Sequence, residues 1–140
     1  MPLRFAALTL ACLIFATTNV ADGADFSSAG DPEYPSRCQD RSVLNWITGN
    51  FAWAERNQWQ RGFTIEDISS PRLRYQVNYG PSIIAHDHCQ AQARMTNGRV
   101  WRVYYTVERG QGFASIGDKV RYCIVGLDPW YVYGAACSTV

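Results

Sequence analysis

His86 and His88 are the only two histidines of the chain, and Asp87 stands between them. Residues two apart on a strand share a face, so both imidazoles can reach one metal ion. Glu108 becomes the third ligand if the strand that carries it pairs with theirs. The same three groups have the types needed for general acid–base work, because histidine titrates near neutral pH and a carboxylate can orient it. No nucleophile accompanies them. Thr106 reads as an ordinary β-former, and Ser115 lacks the flanking residues of a nucleophile elbow. The stretch from Arg109 to Gly117 lacks the Gly-Lys-Ser/Thr ending of a phosphate-binding loop, and it joins two strands instead of opening a helix.

A second kind of chemistry is hydrogen bonding by a surface. Of the thirteen Lys and Arg residues, Lys119 is the one lysine. Arginine offers planar, bidentate bonding to carboxylates and phosphates. Codon usage in a GC-rich genome also gives such a bias. Arg72, Arg74, Gln76, His86, His88, Gln90, Gln92, Arg94, Arg102 and Tyr104 fall on alternate positions of successive strand-like segments. They form a row rich in donors and poor in acid, suited to a glycan of the cell envelope or a protein partner. A sheet with one wet face also looks polar on that face.

The elements that hold these residues follow from periodicity. Ser36 has the capping-box spacing, and Asp40 offers an N-cap one turn later. Beyond them Val43, Ile47, Phe51 and Ala54 recur at helical spacing as far as Arg61, with Gly62 as the expected C-cap. Ser69-Ser70-Pro71 reads as a turn, after which the period becomes 2. Leu73, Tyr75, Val77 and Tyr79 are expected on one face, and Arg72, Arg74, Gln76 and Asn78 on the other. Gly80-Pro81 breaks that strand. The next places Ala85, Cys89, Ala91, Ala93 and Met95 opposite the histidine row, with Asp87 an exception on the apolar side.

The hairpin at 95–99 has two possible registers. A two-residue Asn97-Gly98 loop sets Trp101, Val103 and Tyr105 beside the polar row. A three-residue loop with left-handed Gly98 sets Trp101 against Ala93, Val103 against Ala91 and Tyr105 against Cys89. The second keeps all apolar residues on one face and is the expected one. It also places His86 opposite Glu108 and His88 opposite Thr106. Residues 120–125 read as a strand apolar on both faces, central or partly covered, and 130–139 as a last strand. One helix followed by an antiparallel meander of four to five strands is an α+β roll. Cystatin-like folds share this order of elements, an analogy of arrangement that carries no function.

The N-terminus carries Arg4, an apolar run to about Ala16 and then small residues, the pattern of a cleavable signal peptide over 1–24. The run is short of the roughly 20 residues a membrane span needs. A flexible lead-in is expected over 25–37 and a single α+β domain over 38–140. Cys38, Cys89, Cys123 and Cys137 follow the leader; an even count in a small exported chain points to disulfides. Three connectivities are possible, with Cys123–Cys137 and Cys38–Cys89 favoured because a terminal hairpin and a helix-to-sheet link bring those pairs close. A net charge of +1 removes the electrostatic case for nucleic acid. The resulting expectation is a periplasmic or secreted binding protein without a cofactor, more a binder than an enzyme. The alternatives are a metal-binding or hydrolytic protein built on His86, His88 and Glu108, and a structural envelope component.

Overall fold

The structure is a computed structural model and describes residues 35–78 and 84–140. The expected signal peptide and most of the lead-in lie outside the described residues, as do Tyr79 and the break at Gly80-Pro81.

Helix α1 spans Arg41–Ala54, and Asp40 caps it by accepting the Ser42 N–H. Ser36 does not cap; its hydroxyl accepts the Cys38 N–H instead. The helical stripe is buried as expected: Val43, Ile47, Phe51 and Ala54 face the sheet. Its end differs. A π-helical turn, Glu55–Trp59, continues α1 and stops at Gln60, which takes the left-handed conformation (φ 52°). Gln60, and not Gly62, closes the helix. The wider turn places the buried Glu55 carboxylate where it accepts from both the backbone N–H and the guanidinium of Arg61. Arg61 in turn lies over the Trp59 ring, 4.6 Å from its centroid.

Four strands follow in the order β1-β2-β3-β4, all antiparallel: β1 Ile65–Val77, β2 His86–Met95, β3 Val100–Glu108 and β4 Lys119–Ile124. One helix on an antiparallel meander is the expected α+β arrangement. The hairpin joining β2 and β3 closes in the three-residue register, pairing Trp101 with Ala93, Val103 with Ala91 and Tyr105 with Cys89. Gly98 sits at φ +80°, a value that only glycine adopts without strain. The core therefore gathers the α1 stripe, Cys89, Ala91, Ala93, Met95, Val103, Tyr105, Val107 and Ile124 on one sheet face. The Tyr105 hydroxyl, buried inside it, donates to the Cys38 carbonyl at 2.5 Å.

Two expectations are corrected. The Ser69-Ser70-Pro71 turn is part of β1, which absorbs it as an irregularity between Ser69 and Arg72, with Ser70 left-handed. An edge strand tolerates proline because the donor that proline lacks is not needed on the side with no neighbouring strand. Strand β4 lies at the other edge and is partly covered, one of the two expected placements; its outward face carries Arg121, opposite Thr106. Residues 130–139 form no strand; they run through turns and a short 3-10 turn at Ala135–Cys137. The cause is the second disulfide, Cys123–Cys137, which draws this segment across the sheet instead of along its edge. Cys123, Cys137 and Val140 pack there with Tyr104, Val125 and Tyr133. The first disulfide, Cys38–Cys89, joins the helix start to β2.

Candidate functional site

The sheet face turned away from α1 is the candidate surface, and β2 supplies its backbone. His86, His88, Gln90, Gln92 and Arg94 alternate there with the buried Asp87, Cys89, Ala91, Ala93 and Met95. Cross-strand pairing extends each position into a row. Tyr75 stands opposite His88, His88 opposite Thr106, and Thr106 opposite Arg121. Next to it runs Arg72, Gln90, Tyr104, Cys123, and then Ser69, Gln92, Arg102.

Strand β1 does not keep the expected alternation. Its register shifts by one residue between Leu73 and Tyr75, so Arg74 is an extra residue and every later side chain changes face. Tyr75 therefore faces outward and stacks on His88, with ring centroids 4.3 Å apart and planes 17° apart. Gln76 turns inward, away from the surface row to which its position had assigned it. It donates to Asp87 Oδ1 at 2.7 Å. Asp87, the exception of the apolar row, is fully buried and also accepts from Arg109 Nη2 and the Arg37 N–H, each at 2.9 Å. A buried carboxylate needs such compensation. Asp87 thereby ties the start of the domain, β1 and the end of β3 together.

The outer face is open only in part. The disulfide-held C-terminal segment lies over β3 and β4, leaving Thr106 with no exposure at all. Arg72, Arg74, Tyr75, Gln92, Arg94 and Arg102 are exposed, and His86, His88, Gln90 and Tyr104 are half-buried. Arg74, bulged from β1, sits over Tyr104 with its guanidinium carbon 4.8 Å from the ring centroid. Arg72 bonds the side-chain oxygen of Gln90, with that amide turned to satisfy both groups. Arg102 approaches the Tyr104 hydroxyl at 3.4 Å. Arg94 is neutralised by Glu66 at 3.3 Å and lies 4.0 Å from Asp67. Among the described residues no carboxylate pairs with Arg72, Arg74 or Arg102. Their positive charge is available to a ligand.

His86 and His88 share this face with ring centroids 6.4 Å apart. Glu108 lies opposite His86, but its carboxylate is taken by Arg121 at 2.6 Å and Lys119 at 3.6 Å. Among the described residues, no group of three or more His, Cys, Asp and Glu side chains converges to hold a metal ion. The third ligand that the pairing brings near is thus committed to cations. Burial holds the His88 imidazole below its ordinary pKa. The positive neighbours His86, Arg74 and Arg121 add to this, and the backbone oxygen of Val140, 3.4 Å from Nδ1, opposes it. Thr106 Oγ1 is 3.2 Å from the same nitrogen. His88 is packed by its neighbours on both sides. Its chemistry is that of a positioned, mostly neutral ring beneath Tyr75.

In comparisons with family models, with curated proteins and with solved structures, nothing matches this chain. Function is accordingly argued from the site alone. Periodicity missed Tyr75, because one inserted residue reverses every later position of a strand. The signal was Asp87: a carboxylate in an apolar row demands a polar partner on the same face, and Gln76 supplies it only after a one-residue shift. The covering of β3 and β4 was signalled by Cys137, whose bridge to Cys123 holds the C-terminal segment there.

Proposed function

We propose that this chain is an exported, disulfide-stapled binding domain that takes an anionic envelope ligand, glycan or protein, on the open half of its outer sheet face. Arg72, Arg74 and Arg102 carry the reading. Three cations, two on β1 and one on β3, none matched by a carboxylate among the described residues, stand beside the Tyr75–His88 stack and Tyr104. The Arg74 guanidinium, held over the Tyr104 ring, is partly ordered before a ligand arrives, which lowers the entropy lost on bidentate bonding to a carboxylate or phosphate. Two disulfides support export, since such bonds persist in oxidising compartments. No helix among the described residues is long and apolar enough to cross a membrane.

The test is titration of the full chain with polyglutamate and with inorganic polyphosphate. The Arg74→Ala/Arg102→Ala variant is expected to bind at least about tenfold more weakly, the loss of charge-assisted bonds at a solvated site. An unchanged affinity in that variant refutes the reading.

A further inference from the structure

A cleft of about 220 Å³ lies away from the arginine surface, between the end of α1, the edge strand β4 and the C-terminal segment. Much of one wall, including Asp128, Trp130 and Tyr133, belongs to the chain that the Cys123–Cys137 disulfide closes. One feature of this wall is costly without an occupant: its lining residues Trp130 and Val132 are large and apolar yet 68% and 67% exposed. The volume exceeds the roughly 150 Å³ that holds a benzene ring.

The polar groups around the cleft select the occupant. Trp59 lines it with its indole ring, whose buried N–H does not open onto the cleft. Asn50 lines it too; its side-chain oxygen accepts the Tyr122 hydroxyl at 3.0 Å, leaving the amide N–H groups to donate. Asp128 contributes a carboxylate, of which Oδ2 accepts the Tyr133 N–H at 3.2 Å. An apolar ring alone satisfies none of these, and an anionic ligand is repelled by Asp128. A hydroxylated ring both accepts from N–H groups and donates to a carboxylate, while its C–H face packs on indole and phenol rings.

We infer that this cleft binds one neutral pyranose unit of a saccharide, stacked on Trp130 and Tyr133 and hydrogen-bonded through its hydroxyls to Asn50 and Asp128. The cleft is lined by none of Arg72, Arg74, Arg102, Tyr75 and His88, so the two sites are tested separately.

The experiment titrates the oxidised full chain with glucose, N-acetylglucosamine, cellobiose and chitobiose, followed by tryptophan fluorescence and saturation-transfer NMR. At least one sugar is expected to saturate with a dissociation constant of about 1 mM, as suits so small a ligand. Trp130→Ala, at an exposed position, should weaken it at least tenfold, whereas Arg74→Ala/Arg102→Ala should leave it unchanged. Asn50→Ala, also exposed, supplies the same test should Trp130→Ala fold poorly. The inference is overturned if none of the four sugars saturates at tens of millimolar, if neither cleft variant weakens binding, or if indole binds where every sugar fails.

Discussion

Asp87 and His88 are adjacent, and their environments are opposite. Asp87 is sealed on the core side and accepts from Arg109, Gln76 and Arg37. Its removal leaves the Arg109 guanidinium, itself largely shielded, without that carboxylate. Breaking a buried pair from one side costs about 3–5 kcal/mol, so Asp87→Ala should lower the urea midpoint severely, as followed by circular dichroism. His88 is depressed in the folded chain, chiefly by burial. A depressed imidazole favours the fold while neutral. Its contribution is full above the unfolded value of about 6.5 and is lost as pH falls through that value toward the folded one, because the unfolded chain then binds more protons. Denaturation curves between pH 7.5 and 5 should show falling stability, with a flatter slope in His88→Asn. Asp40 acts in a lower window. The Arg37 guanidinium and the Ser42 backbone hold its carboxyl down at about 2, so the helix cap survives until pH falls below the ordinary carboxylate range.

Local irregularities decide what β1 and the loop before β4 display. In β1 the decisive one is the bulge at Arg74, which turns Tyr75 out to His88 and Gln76 in to Asp87. Deleting Arg74 should restore plain alternation after Leu73 while keeping both placements, because the deleted residue is the extra one. The variant is expected to fold with the Tyr75–His88 ring contact intact by nuclear Overhauser effects, and to lose only the cation over Tyr104. An unfolded product, or loss of that ring contact, contradicts the register. The loop before β4 is similarly specified. A Cβ on Gly112 would stand 2.0 Å from the Ile116 carbonyl oxygen, so Gly112 is there for backbone contact. The loop presents Phe113, 95% exposed, at its tip.

Two covalent links and two clusters divide the molecule about its sheet. Cys38–Cys89 spans 51 residues and anchors α1 to the inner face; Cys123–Cys137 spans 14 and anchors the C-terminal segment to the outer one. Chain-entropy reasoning assigns about 4 kcal/mol to the longer loop and about 3 to the shorter. Loss of the first by paired serine substitution should destabilise the whole domain. Loss of the second should act locally: amides of β3 and β4 exchange faster, and Thr106 and Tyr104 become exposed, with the α1 core still protected. Equal deprotection everywhere would show that the segment belongs to one cooperative unit with the core.

Local periodicity was enough to read α1, the inward and outward residues of β2 and β3, and the hairpin register, because burying one face penalises a one-residue slip at every position. The outward histidines and most of the arginine row were legible for the same reason. Periodicity did not reach the bulge at Arg74, the edge position of β4 or the path of residues 126–140. These are settled by contacts between residues far apart in sequence: Gln76 with Asp87, Cys123 with Cys137, Arg61 with Leu127. The alternation of a strand is a property of its own backbone, whereas what covers a face, and which cleft is left beside it, depends on where the rest of the chain comes to lie.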